Sequence, residues 1–232
     1  MEQKEYKLHR ISLLTVSSFL IYRPGEAILV DCGKQDSEEK IIKEMARLGL
    51  QPEDLKLLLL THAHYDHAGS ARRLKELCGC RILIHRREAS RLEAGFTPIP
   101  SGTRWKAKVL VSIGRIFARR LMTYPPAKPD LLVEDSASLD EFGFPGKIIH
   151  MPGHTFGSLV VLLDGGEMLT GDTLFGVPGK RIFPPFAEDK AELLKSWERL
   201  SRMKVSVFYP AHGASISFSK FLKEYEVLCT MH

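Results

Sequence analysis

The spacing of apolar positions changes several times along the chain, and each change marks an element. Leu8 to Tyr22 is rich in β-branched and aromatic residues, and Glu26 to Asp31 is a short apolar run beyond the turn Pro24-Gly25. Strands are predicted on both sides of that turn. From Ser37 to Leu48 the spacing becomes helical, with Ile41, Ile42, Met45 and Leu48 on one side and Gly49 as the stop. Leu55 to Leu60 reads as a buried strand, Asp66 to Leu77 as a helix with Ala68, Ala71, Leu74 and Leu77 on one face, and Arg81 to His85 as a strand. Strand character returns at Leu131 to Val133, Lys147 to His150, Leu159 to Leu163, Glu167 to Leu169 and Val205 to Tyr209. Lys190 to Met203 and Phe218 to Leu228 have helical spacing. Consecutive strands, with helices between others, predict sheets with helices packed outside in one domain over residues 1–232.

Residues 86–128 break this rhythm and are read as an insert. A Pro/Gly-rich patch, Thr97 to Gly102, precedes a long helical pattern from Arg104 to Met122. Trp105, Val109, Ile113, Ile116, Phe117 and Leu121 share a broad apolar face, while Lys106 and Arg120 fall within its arc. Two charges within an apolar face suit the roof of a cleft, and Phe117 and Arg120 become candidate substrate contacts. A homodimer interface is the alternative.

Composition narrows the class. Of 232 residues, 44% are apolar and 26% charged, which is ordinary for a globular chain. No apolar run approaches the roughly 20 residues of a membrane span. The charged N-terminus shows no secretory signal, so Cys32, Cys78, Cys80 and Cys229 are expected to be reduced thiols in a cytoplasmic protein. The net charge is +5, yet residues 86–128 hold ten basic residues against Glu88 and Glu93. Such an excess suggests an anionic partner or substrate, or else a solvated helix face.

The sharpest signal is Thr61-His62-Ala63-His64-Tyr65-Asp66-His67, placed between an apolar strand and a helix. Three imidazoles and a carboxylate at a strand-to-helix turn are the ligand types of zinc and similar divalent ions. His62 and His64 alternate by two and point to one side of extended backbone. Asp66 and His67 lie past the bend, where they can reach a second ion. Further candidates follow apolar runs and are flanked by glycine: His154 in Pro152-Gly153-His154, Asp172 in Gly171-Asp172-Thr173, and His212 before Gly213. Asp31-Cys32-Gly33 repeats that arrangement.

Taken in order, these motifs resemble those of the metallo-β-lactamase superfamily, over nearly the whole span from Asp31 to His212. The resemblance implies an α/β fold, a four-layer αβ/βα sandwich in which two mixed sheets lie face to face with helices outside. It implies one metal on His62, His64 and His154, a second on Asp66, His67 and His212, and Asp172 bridging both. Asp31 would brace the metal loop from behind. Two divalent ions, zinc foremost with iron or manganese accepted by the same donors, would activate a bridging hydroxide, with Asp66 both ligating and orienting it.

Departures narrow the subgroup. Asp172 stands where many class B β-lactamases carry Cys, and Ala63 stands where flavo-diiron proteins carry Glu. The position often Tyr in acyl-homoserine lactonases is Phe175. Gly171-Asp172-Thr173-Leu174-Phe175, followed by Gly179-Lys180, is most similar to glyoxalase II, which makes Phe175 and Lys180 candidate substrate contacts. The chain ends soon after His212, short of that enzyme's C-terminal helical domain, and Ala214 stands where it usually has Tyr. The expectation is therefore a binuclear metallohydrolase for an ester, thioester or lactone of a small acyl substrate. A phosphodiesterase or nuclease holding nucleic acid with the basic insert, or a non-catalytic metal-binding module, is the alternative.

Overall fold

Side-chain alternation along the strands decides the architecture. The computed structural model describes residues 6–98, 101–103 and 122–230. The first sheet has six strands in the order β1 (Lys7–Leu13), β2 (Val16–Arg23), β3 (Glu26–Val30), β4 (Leu55–Leu59), β5 (Arg81–His85) and β7 (Leu131–Val133). Its first two pairings are antiparallel and the other three parallel. The second sheet runs β14 (Ile216–Ser217), β13 (Val207–Pro210), β11 (Glu167–Gly171), β10 (Leu159–Leu163), β9 (Gly146–His150) and β8 (Ser136–Ser138). There only β11 and β13 pair in parallel. A short ribbon joins β6 (Ser101–Gly102) to β12 (Phe186–Ala187).

Because successive strand residues face opposite ways, each central strand feeds two apolar layers. Phe19, Ile21, Ile28, Val30, Leu57 and Leu59 meet Ile148, Leu159, Val161 and Leu169 between the sheets. The alternate residues Leu20, Leu29, Leu58, Ile82 and Ile84 pack outward on Ile41 and Met45 of α1 (Glu38–Arg47), Leu74 of α3 (Ala71–Cys78) and Leu92 of α4 (Ala89–Ala94). On the far side, Val160, Met168 and Phe208 pack on Leu193, Trp197 and Leu200 of α5 (Lys190–Ser201) and Phe221 of α6 (Phe218–Thr230). The result is the four-layer sandwich expected from the sequence.

Local departures have identifiable causes. The apolar stretch from Leu8 to Tyr22 is a hairpin, turned at Leu14-Thr15 with Leu14 at φ 64 and no glycine to announce it. The expected helix Asp66 to Leu77 is split into α2 (Tyr65–Ala68) and α3. Gly69 breaks it: its N–H donates to the Gly33 carbonyl at 2.9 Å. A Cβ there would lie 2.4 Å from the Gln35 amide nitrogen. The loop after β3 therefore presses directly on this backbone. The predicted helix at 104–122 falls outside the described residues except for Met122, and Phe117 and Arg120 fall outside with it.

Trp197 ties α5 to the sheet end. It is fully buried, its ring packs against Phe183 and Phe221, and its Nε1–H donates to the Thr173 carbonyl at 2.9 Å. Trp197→Phe should retain much of the packing while removing that donor. The expected cost is about 1–3 kcal/mol for the bond and the carbonyl left behind. Thermal unfolding checks this: the melting temperature should fall by several degrees, and an unchanged value would show that the bond contributes nothing.

Candidate metal centre

The parallel course of β3, β4, β9, β11 and β13 brings five loops to one end of the sandwich. His62 and His64 follow β4, and His64 is the N-cap residue of α2, so the chain bends between it and Asp66 and His67. His154 follows β9, Asp172 follows β11 and His212 follows β13. Gly153 has φ 132, and a Cβ on it would lie 2.3 Å from the Leu193 backbone of α5, so only glycine admits this approach.

Two donor sets result. In the first, His62 Nε2 lies 2.8 Å from His64 Nδ1, which lies 3.1 Å from His154 Nε2, itself 3.4 Å from Asp172 Oδ2. In the second, Asp172 Oδ1 lies 3.3 Å from His67 Nε2 and 3.4 Å from His212 Nε2, and Asp66 Oδ2 lies 3.6 Å from His212 Nε2. Asp172 thus offers one oxygen to each set.

The outer edge of four of the five rings is already committed; His64 instead turns Nδ1 inward and leaves Nε2 buried without a partner. His67 Nδ1–H donates to Asp31 Oδ2 at 2.8 Å, His154 Nδ1–H to the Phe186 carbonyl at 3.0 Å and His212 Nδ1–H to the Thr15 carbonyl at 2.8 Å. His62 Nδ1 lies 3.0 Å from Thr61 Oγ1, which in turn donates to Asp31. Each of these rings therefore turns Nε2 inward, and the tautomer follows from the bond on the other side. The inward atoms are poorly served by one another. His67 Nε2 and Asp172 Oδ1 are buried without a hydrogen-bond partner of acceptable geometry. Lone pairs facing one another in a dry site are costly, and a shared cation relieves them. Ligand atoms about 2.1 Å from a tetrahedral ion stand roughly 3.4 Å apart, so both sets fit a divalent ion.

The family model of the metallo-beta-lactamase superfamily matches residues 11–212. The chain belongs to the metallo-beta-lactamase superfamily. A probable metallo-hydrolase of Methanocaldococcus jannaschii is 28% identical over 190 residues, covering 80% of this chain and 82% of the relative. A hydroxyacylglutathione hydrolase of Pelagibacter ubique is 29% identical over 130 residues, covering 56% of this chain but only 40% of that protein. Among solved structures, a metallo-beta-lactamase family protein of Thermus thermophilus has the same fold, with a TM-score of 0.71 at 24% identity, over 98% of this chain and 79% of that one.

His64, Asp66, His154, Asp172 and His212 floor a cavity of about 280 Å³, walled by Tyr65, Met122, Phe175 and Phe186. Phe175 stacks on His212 with ring centroids 4.8 Å apart and planes 14° from parallel. Lys180 is not in this wall: it lines an adjoining hollow with Arg181, and Phe175 is common to both. Sequence reading did not single out Tyr65, though it sits inside the His-rich motif. Met122 ends the segment read as a cleft roof, though it was not itself singled out, and Phe186 carries no local signal. Nor did it find Glu88, Arg91, Thr97, Tyr124 and Glu188, which hold the loops around His64 and His154.

Charge within the centre is polarised. Burial, reinforced by neighbouring imidazoles, pushes His62 and His64 well below the ordinary histidine range. Burial also lowers His154. Burial disfavours protonation of His67 too, but the flanking carboxylates of Asp31 and Asp172 outweigh it and raise that ring. Burial would raise Asp172; instead His212, His67 and His154 hold it well below the usual carboxylate range.

These directions set a pH dependence for the metal-free protein. His62, His64 and His154 are held low, as are His85 and His150, where burial again leads. As pH falls below about 6.5, the unfolded chain takes up protons that these five folded rings refuse, so stability is lost. His67 and Glu88, both raised, act in the opposite sense. Five groups against two predict a lower melting temperature at pH 5.5 than at pH 7.5 in chelator-treated protein. A higher value at pH 5.5 would mean that the raised groups dominate.

Proposed function

We propose that this chain is a hydrolase carrying two divalent ions, zinc before iron or manganese, and that it cleaves an ester, thioester or lactone of a small acyl substrate. His62, His64 and His154 would hold one ion and Asp66, His67 and His212 the other, with Asp172 shared and Asp31 bracing His67. The observation that carries this reading is the sharing itself: one carboxylate, buried and anionic, faces two sets of inward imidazole nitrogens at the floor of an apolar cavity. Ions in such a set bring water close to ionisation near neutral pH and stabilise negative charge on a carbonyl oxygen or leaving group.

The chain's own residues supply the rest. Asp66, half-buried at the cavity floor, orients the attacking water and is the catalytic carboxylate. Tyr65, Met122, Phe175 and Phe186 exclude water and receive the acyl group, and Phe175 also fixes the plane of the His212 ring. Among the described residues, neither Lys nor Arg lines this cavity, which favours a neutral acyl group over a phosphodiester at the reacting end. Lys180 and Arg181 beside Phe175 suit an anionic tail on the leaving group. Likeness to the hydroxyacylglutathione hydrolases and to the glyoxalase II segment around Asp172 supports thioesters within this class.

Metal analysis of the pure protein should give two divalent ions per chain, and His64→Ala should lose metal and abolish hydrolysis. Full activity in that variant would end the metal reading. Small acyl thioesters should turn over faster than bis-p-nitrophenyl phosphate. The opposite ranking, by a large factor, would replace the acyl assignment with a phosphodiesterase. Phe175→Ala should raise KM for an acyl substrate several-fold at unchanged metal content, and an unaltered KM would remove Phe175 from the substrate path.

A further inference from the structure

Ala63 lies between the two histidines of the H-x-H pair, and both of its backbone polar groups are held by buried side chains from outside the motif. Its carbonyl accepts from Thr97 Oγ1 and Tyr124 Oη. Its N–H donates to Glu88 Oε2 at 3.1 Å. Glu88 is 0% exposed, a rare state for a carboxylate, and it lines none of the cavity around the donor sets. Its other oxygen accepts from the Gly157 N–H at 3.2 Å and from Arg91 Nη1 at 3.2 Å. Arg91 Nη2 reaches Glu188 Oε1 at 2.6 Å. Glu188 Oε2 accepts from the Phe156 N–H at 2.7 Å, and its own N–H donates to the His154 carbonyl at 2.9 Å.

A carboxylate, a guanidinium and a second carboxylate thus bridge two loops whose nearest backbone tie is the bond from the Leu159 N–H to the Thr61 carbonyl, short of Ala63 and of the 154–157 loop. One loop carries His62 and His64, the other His154. The approach is tight: a Cβ on Gly157 would lie 2.5 Å from Glu88 Cγ. Burying such a triad costs desolvation, and an apolar plug of similar volume would serve stability as well or better. What a plug could not do is set the distance and angle between two peptide segments through directed bonds.

We propose that Glu88, Arg91 and Glu188 are positioning residues for the first donor set, locking the Ala63 peptide and the 154–157 loop so that His62, His64 and His154 converge on one ion. This rests on the metal-binding part of the function proposed above and is independent of the substrate class.

The test uses zinc-loaded full-length protein and measures zinc release to an excess of chelator. Two release phases are assigned to the two sets with His64→Ala and His212→Ala. Arg91→Met and Glu88→Ala should speed release from the first set by tenfold or more, since partners behind metal ligands typically contribute 10–100-fold in affinity. Release from the second set should stay within about twofold. Glu88→Gln, which keeps an acceptor for the Ala63 N–H, should recover part of the loss. Glu188→Gln, at the rim of the triad, serves where the inner variants fold poorly, and should show a smaller change of the same kind. Equal acceleration of both phases, or a lower melting temperature with first-set release unchanged, would overturn the proposal and leave the triad a packing element. A parent protein that holds two zinc ions but cleaves no acyl substrate would overturn the substrate class alone. A parent that holds no zinc would overturn both.

Discussion

The Asp31 carboxylate is the constraint on which the centre hangs. It is buried, sits at φ 59, and accepts from the Thr61 N–H at 2.8 Å, from Thr61 Oγ1 and from His67 Nδ1. A non-glycine residue in left-handed backbone costs of order 1 kcal/mol or more, and here three bonds over-determine it. Those bonds tie together the end of β3, the start of the His-rich loop and α2. Remove the carboxylate and Thr61 loses its N–H acceptor, while His67 loses what decides which nitrogen faces inward. The next residue adds a fourth tie, since the Cys32 N–H donates to the His67 carbonyl at 2.7 Å.

Around that point the molecule holds a polar cluster that an apolar core would expel. His62, His64, His67, His154 and Asp172 are all buried. Their charges are resolved by division: the rings of the first set are kept neutral, while two carboxylates favour positive charge at His67. Neutral imidazoles and ionised carboxylates are the forms that bind a cation without first releasing protons. The energetic cost of such a site is carried by the three apolar layers beneath it, where central strands such as β3 and β4 are buried on both faces.

The layering was legible because it depends on alternation, a local property of the sequence. Legible too were four polar residues crowded at one strand-to-helix turn, and three more that each follow an apolar strand beside glycine. The Leu14-Thr15 turn was not, since its left-handed residue is a leucine and tertiary contacts hold it: Thr15 receives His212, and the Ser17 N–H donates to the Ala211 carbonyl. The break at Gly69 was hidden because α3 resumes the helical spacing two residues later. The inward turn of Arg91, one of the ten basic residues of 86–128, was hidden for a different reason. Net charge counts side chains without saying which way they face, and Arg91 turns inward to two carboxylates that lie far apart in sequence. Pairings across such distances leave no periodic mark.

Both donor sets draw on both sheets, and this explains why the sheet-to-sheet contact matters to chemistry rather than to stability alone. His62, His64 and Asp66 come from the first sheet, and His154, Asp172 and His212 from the second. Backbone bonds pin the two at their common end. The Leu159 N–H donates to the Thr61 carbonyl at 2.8 Å, and Ser17 reaches across to Ala211 at 2.8 Å. Gly171, at φ 48, leaves no room for a side chain, because a Cβ there would lie 2.6 Å from Thr61 Oγ1. Thr61 is therefore the meeting point. It bonds Asp31 behind, braces His62 beside it, holds β10 through its carbonyl and packs on the residue before Asp172. A slip of one sheet against the other would open both donor sets at once, because Asp172 serves both and moves with only one sheet. The apolar layer between the sheets and the polar centre at its end act as one mechanical unit. The layer supplies the force that holds the sheets together, and the buried bonds through Thr61 convert that force into a fixed spacing of donor atoms.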